Sequence, residues 1–437
     1  MLVTVDSRAA GKGKTTTLIY PKIQKHLALN EKVLLVVPSI ILQQKYEEKF
    51  PLSGFITLNS KDEDRDKNPI NVTQRLLSLM TSDVFNCICI THQAWLKTQI
   101  PLAIKNEWHL IIDEAITPFR TFSYWRKKDS DIDWSAMCEL DKEAIKEDNE
   151  VFYSVKFNEQ DDSLARQIKS LRDLSSPLWD TSLRMNSYHK LQNKEQGRAE
   201  FIQELKVSHM SGYKSVHIAA AAFKYSFMGY WLKKHRDVFD VVELHPFSKL
   251  DLPIKIHAPE QVKWSSLLQR NRPDILQKFD LYVASSTAGL VIDDVLSVKN
   301  SFNENEVELE TYISNNPHGL NELSHYQAVS LKTALIPSNE MYLWLSQEWG
   351  MSKGEVHRAF SSYVFYQIIM RTALRNYNNK EVHVYLLDYN TLIGLADFFL
   401  INPDKNLFII DVGYSSKPMT GAERKRKSLA KKKAQRK

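Results

Sequence analysis

The feature that most constrains this chain stands at its beginning. Ala9-Ala10-Gly11-Lys12-Gly13-Lys14-Thr15-Thr16 lies between a short apolar strand, Leu2 to Val5, and a helical run through Leu18 and Ile19. A glycine turn between strand and helix aims several backbone N–H groups at one point, and the helix N-terminus adds positive potential there. Such a point suits phosphate, which makes Gly11, Gly13, Lys14, Thr15 and Thr16 candidate nucleotide-binding residues. Lys14 can reach the β- and γ-phosphates of ATP, and the Thr15 hydroxyl can join a Mg2+ shell. The generic phosphate loop has a glycine five residues before Gly13, where this chain has Arg8. The competing reading is a glycine turn with an incidental lysine.

A second motif answers the first about a hundred residues on. Trp108-His109-Leu110-Ile111-Ile112-Asp113-Glu114-Ala115 is an apolar strand ending in two acids. Nucleotide hydrolysis needs a magnesium ion near the β- and γ-phosphates and a group that orients or deprotonates the attacking water. Asp113 fits the metal role and Glu114 the catalytic one. Between the motifs, Lys32 to Val37 reads as a buried strand ending at Pro38-Ser39, followed by a helix from Ile40. Phe55 to Leu58 and Phe85 to Ile90 read as further strands, and Trp95 as a packing residue. Strand, helix, strand, helix is a doubly wound α/β opening.

Beyond Trp125 this rhythm lapses. Amphipathic patterns at Ala136 to Lys146, Leu164 to Leu171 and Leu191 to Leu205 predict a mainly helical insertion over 125–213. The sheet resumes at Ser215 to Phe223. A second α/β unit follows, with strands at Val241 to Leu244, Ile254 to Ile256, Leu281 to Thr287 and Ala328 to Leu331. Late in the chain, Gln367, Arg371 and Arg375 are spaced by four, which would put them on one helix face. Two guanidinium groups converging on a γ-phosphate form an arginine-finger arrangement, so these three join Lys14 and Glu114 as candidate catalytic residues.

Charge and length bound the rest. A chain of 437 residues can bury two or three cores. Its apolar runs fall far short of the roughly 20 residues a membrane span requires, so no membrane association is expected. The +6 net charge is uneven: Ser416 to Lys437 carries ten Lys or Arg against Glu423, a net of +9, which leaves the other residues at −3. Any polyanion attraction from bulk charge therefore belongs to this basic tail, read as disordered. Cys87, Cys89 and Cys138 are too few for a disulfide framework, and no histidine stands at zinc-ligand spacing from them. With no leader ahead of the phosphate loop, the expected compartment is the cytoplasm.

With these segments in this order, the chain resembles the superfamily 2 DExx-box helicases over nearly its whole length. Gly11 to Thr15 is similar to the end of their A-x-x-G-x-G-K-T form, and Asp113-Glu114-Ala115-Ile116 to the DExx box. Pro38-Ser39-x-x-Leu42-x-Gln44 resembles motif Ia and Gln367 to Arg375 motif VI. Ser285-Ser286-Thr287 and Arg371-Thr372-Ala373-Leu374-Arg375 look faintly like viral and phage replication helicases, including origin-binding types. The resemblance implies two RecA-like parallel-sheet domains, 1–124 completed by 214–235 and 236–415, with ATP and Mg2+ between them. It further implies single-stranded or forked nucleic acid across their tops, DNA preferred, contacted by Ser39, Thr91, Ser286 and Asn321. Replication proteins would be partners, in the host cytoplasm if the source is viral or phage. Two rivals stand beside this reading: an ATP-switched loading protein that never unwinds duplex, and a packaging-type motor with a nuclease built on Asp388, Asp397 and Asp411.

Overall fold

The computed structural model describes residues 1–50, 54–59, 71–126, 138–140, 152–157, 174–290, 292, 294–298, 310–313, 322–333, 335–377 and 380–414. Strands β1 (Leu2–Asp6), β2 (Lys32–Val37), β3 (Phe55–Leu58), β4 (Cys87–Thr91) and β5 (Trp108–Asp113) are linked through helices, chiefly Tyr20–Ala28, Ile40–Lys49 and Val72–Thr81. Parallel pairing demands such crossovers, and β2, β3, β4 and β5 all pair in parallel. Helices on both faces leave no polar side to the sheet, so Val33 to Val37 are all buried. Trp95 is buried in the same domain's core, as its apolar setting predicts. Cys87 and Cys89 are buried free thiols, and burial raises the pKa of both.

The chain then leaves this sheet. β6 (Phe119–Arg126), β7 (Cys138–Leu140), β8 (Phe152–Phe157), β9 (Trp179–Arg184) and β10 (Gly197–Leu205) form a five-stranded antiparallel sheet ordered β6-β10-β9-β8-β7. The expected mainly helical insertion is thereby corrected: among the described residues it is a β-sheet with the helix Met185–Gln192 laid against it. Leu191 to Leu205 misled because β10 is buried on both faces from Ala199 to Gln203, which erases the two-residue alternation that marks a strand. The patterns at 136–146 and 164–171 lie outside the described residues, apart from β7.

β11 (Ser215–Ala219) returns to the first sheet between β1 and β5, and β12 (Asp240–His245) pairs in parallel outside β1. The full order is β12-β1-β11-β5-β2-β4-β3. Val241 to Leu244 therefore closes the first domain rather than opening the second. Local pattern identifies a strand but not the sheet edge that receives it.

β13 (Ile254–Pro259), β14 (Val295–Val298), β15 (Glu310–Ile313), β16 (Ala328–Leu331), β17 (Val382–Leu386) and β18 (Leu407–Ile410) build a second, wholly parallel sheet ordered β15-β14-β16-β17-β13-β18. Leu281 to Thr287 is not one of its strands. It lies in the helix Pro273–Gly289, whose buried residues Ile275, Phe279, Val283 and Thr287 recur every four positions. That period over a long segment outweighs the local strand-like composition. The result is an α/β molecule with two RecA-like parallel-sheet domains and an inserted antiparallel sheet. No described helix is long and apolar enough to cross a membrane. The basic tail over 416–437 lies outside the described residues.

Candidate active site in the interdomain cleft

Parallel strands present their C-terminal ends along one edge, and β1 and β5 deliver the loop and the acid pair to that edge. Gly11 and Gly13 take φ of +80° and +70°, a region costly to any residue with a Cβ. The helix after the loop opens with a widened turn over Thr15–Ile19 before continuing as Tyr20–Ala28. Arg8, the departure from the phosphate-loop pattern, braces the base of this loop. Its guanidinium pairs with the buried Asp6 carboxylate at 2.5 Å and donates to Thr17 Oγ1 at 3.0 Å. The Lys14 ammonium turns in beneath the loop and donates to the Arg8 and Ala9 carbonyls at 2.8 and 3.0 Å. Burial lowers its pKa to about 8 against the opposing pull of Asp113, Asp6 and Glu114.

Asp113 is 4% exposed at the end of β5 and accepts from Tyr46 Oη at 2.8 Å and Thr15 Oγ1 at 3.5 Å. Burial, then the neighbouring Glu114, raises its pKa to about 7. Burial pushes both groups toward their neutral forms, and a phosphate chain with a divalent cation would favour the charged form of each. The oxygen donors of Thr15 and Asp113 are of the hard type magnesium prefers. Glu114 adopts φ of +69°, one of several non-glycine residues in the left-handed region, which costs on the order of 1–3 kcal/mol. Its N–H donates to the Ala219 carbonyl, which ties it to β11.

The second domain faces these groups. Gln367, Arg371 and Arg375 line one cleft with Gly11, Gly13, Lys14, Thr15, Thr16, Asp113 and Glu114, and its volume is about 280 Å³. The single helical face expected for the three is corrected. The helix Tyr363–Ile369 stops at Met370, Thr372 is extended, and Arg375 sits in the short turn Ala373–Asn376. The Ala373 N–H is drawn to the Tyr326 carbonyl, so tertiary pairing interrupts the helix. Arg371, 6% exposed, forms an ion pair with Glu114 Oε1 at 3.3 Å across the cleft.

Two tyrosines seat the domains on each other, and sequence reasoning had no signal for either. The Ala10 N–H donates to Tyr366 Oη at 3.0 Å, and Tyr377 Oη donates to the Ala10 carbonyl at 2.8 Å. The Lys12 ammonium lies 3.5 Å above the Tyr377 ring. Tyr20, Leu42 and Lys45 complete the wall on the first domain's side and were likewise missed.

The expected nucleic-acid contacts are elsewhere. Ser39 and Thr91 follow or end β2 and β4, on the same strand-end edge, where each caps a helix: Ser39 Oγ accepts from the Leu42 N–H and Thr91 Oγ1 from the Ala94 N–H. The strand-end placement expected for Ser286 is corrected. Ser286 is a helical residue 2.9 Å from Tyr385 Oη and stands at no strand end. Asn321 lies outside the described residues. Asp388 caps the helix Tyr389–Leu395 and Asp397 pairs with Arg358, so neither joins a metal cluster among the described residues.

No protein-family model and no curated protein matches this sequence. Among solved structures, Xpd4 of S. tokodaii is 13% identical with a TM-score of 0.49, covering 93% of this chain and 95% of its own. The DUF1998 helicase MrfA, solved bound to DNA, is 8% identical with a TM-score of 0.37, covering 90% of this chain and 45% of its own. At such identities no residue role passes from either protein to this one.

Proposed function

We propose that the protein is an ATP-dependent nucleic-acid helicase or translocase that hydrolyses ATP between its two α/β domains. The convergence of Lys14, Asp113 and Glu114 from one domain with Gln367, Arg371 and Arg375 from the other supports this reading above all else. A nucleotide gripped by both walls binds the closed arrangement better than the open one, and only such differential affinity can convert hydrolysis into domain movement.

Gly11, Gly13 and Thr16 frame the phosphate site, where Lys14 leaves the loop carbonyls for the β- and γ-phosphates. Magnesium held by Thr15 and Asp113 would neutralise charge on the phosphate oxygens and polarise them. Glu114 accepts the proton of the attacking water. Arg371 and Arg375, with Gln367 beside them, meet the charge that builds on the transferred phosphoryl group and its leaving oxygen. Arg371 pairs with Glu114 across the cleft, so base and finger restrain one another. An entering γ-phosphate competes for Arg371 and releases the Glu114 carboxylate to water. The switch thus couples occupancy of the cleft to readiness of the base.

Nucleic acid, DNA in preference to RNA, would cross the strand-end edge near Ser39 and Thr91. The sequence resemblance favours a setting in replication or recombination, in the cytoplasm of a cell or host. ATP turnover measured with single-stranded DNA, with RNA and without polymer tests the reading. Stimulation by single-stranded DNA that Lys14→Ala abolishes is expected; turnover indifferent to either polymer would reject a nucleic-acid motor. Strand displacement from a forked duplex separates a helicase from a loading switch, which hydrolyses ATP yet releases no strand.

A further inference from the structure

At the opposite edge of the first sheet, three side chains meet that no sequence spacing links. His26 lies near the end of the helix Tyr20–Ala28, Glu31 stands just ahead of β2, and His109 is the second residue of β5. One donor atom from each lies within 4.8 Å of the other two. His26 Nδ1 is 2.6 Å from Glu31 Oε2. His109 Nε2 is 3.7 Å from the same oxygen, too far for a hydrogen bond; it is closed off from solvent and has no hydrogen-bond partner. The two imidazole rings stack with centroids 4.1 Å apart.

A hydrogen-bonded chain behind His109 can hold the tautomer that a metal ligand needs. In that sense the Thr4 hydroxyl donates to the Val216 carbonyl and accepts from His217 Nδ1–H. His217 Nε2 then accepts from the Ser215 hydroxyl at 3.1 Å, and Ser215 Oγ accepts from His109 Nδ1–H at 2.7 Å. Run in this sense, the chain leaves His109 Nε2 as a lone pair turned toward a carboxylate oxygen. Two electron-rich atoms facing one another call for a cation between them.

We propose that His26, Glu31 and His109 bind one divalent transition-metal ion of the zinc type, remote from the nucleotide cleft. Two imidazoles and a carboxylate suit zinc and its first-row neighbours and disfavour calcium or magnesium, which prefer all-oxygen shells. Zinc bonds of about 2.0–2.2 Å put tetrahedral ligand atoms roughly 3.3 Å apart, so the His26–Glu31 contact opens and the His109–Glu31 gap closes, each by under about 1 Å, and the two imidazoles turn out of their stack so that both lone pairs converge on the ion. The Glu31 side chain is 35% exposed, which leaves a fourth position to water. The Ser215–His217–Thr4 chain is the outer shell that orients the His109 ligand. Lys22 and Lys214 oppose the added charge and weaken the site. The site would act as a clip. It joins the far end of the helix that begins at the phosphate loop to the far end of the strand that presents Asp113, about 13 Å along β5 from that carboxylate.

The proposal does not rest on the ATPase reading, and its test needs no turnover. The full chain, stripped with chelator and dialysed, is titrated with zinc chloride alone by calorimetry near pH 7.5, and its thermal midpoint is recorded with and without the ion. One ion per chain, a raised midpoint, and at least tenfold weaker binding in both His109→Gln and Glu31→Gln are expected. Lys14→Ala should bind zinc as the unaltered chain does. Absence of stoichiometric binding, or binding unchanged by both substitutions, overturns the site. Should the variants fail to fold, cobalt(II) added to the unaltered chain decides: visible bands of a four-coordinate nitrogen–oxygen site, displaced by one equivalent of zinc, support it, and their absence rejects it.

Discussion

Replacing Arg371 by alanine separates a finger that acts on the nucleotide from an arginine that merely closes the cleft. At 3.3 Å the bare attraction between Arg371 and Glu114 is about 5 kcal/mol at an effective dielectric of about 20. Desolvation of two largely buried groups cancels most of it, so the pair contributes on the order of 1 kcal/mol to the resting structure. Glu114 keeps a 25% exposed side chain and can regain water when its partner is removed. Loss of the pair alone would therefore lower the thermal midpoint by a few degrees and leave turnover unchanged or slightly raised, because Glu114 is freed. Loss of a transition-state contact is far larger, about 10³–10⁵-fold in rate, or roughly 4–7 kcal/mol. The two cases differ by orders of magnitude. Single-turnover hydrolysis at saturating ATP and magnesium, alongside equilibrium binding of a fluorescent ATP analogue, distinguishes them. A rate lowered at least a hundredfold with affinity within threefold of the original is expected. Hydrolysis within threefold of the unaltered protein would remove Arg371 from the chemistry and leave it a structural clasp.

Glu114→Gln should abolish turnover while nucleotide still binds, and a variant that cycles normally would exclude Glu114 as the base. In Gly11→Ala the new Cβ would stand 2.7 Å from the Arg375 carbonyl oxygen at φ of +80°, so domain closure suffers as well as the loop. Nucleotide affinity should fall about tenfold or more, since the backbone region alone costs roughly 1–2 kcal/mol, and unchanged affinity would show that the loop does not need this approach. The raised pKa of Asp113, about 7, makes magnesium compete with a proton. Apparent magnesium affinity, read from ATPase titrations, should drop several-fold as pH falls from about 8 to about 6, because the carboxylate must ionise before it can ligate. In Asp113→Asn that slope should vanish along with most of the activity. Deleting 416–437, with its net charge of +9, should weaken DNA binding most at low salt; affinity unchanged there would make the tail irrelevant to binding.

What the sequence determined by itself was local. The strand before Gly11, the helix after Thr15 and the apolar run into Asp113 are short-range patterns, and each formed where composition and period placed it, as did the strands at Phe55 and Ala328. The doubly wound opening followed, because parallel strands must be linked by crossovers. Tertiary structure decided everything that depends on which surfaces meet. β10 lost its alternation because both of its faces are covered, β12 joined an edge no local signal specifies, and Ser286 entered a helix through its period on the second domain's sheet. Arg371 and Arg375 reached the cleft despite a broken helix, since the Tyr326 carbonyl outcompeted the next helical turn for the Ala373 N–H. Tyr46 met Asp113 only when its helix packed on the first sheet, and Tyr366 and Tyr377 gained their partners only when the domains met. His26, Glu31 and His109 stand together for the same reason: a parallel sheet brings the near ends of strands distant in sequence to one edge, and no spacing in the chain records it.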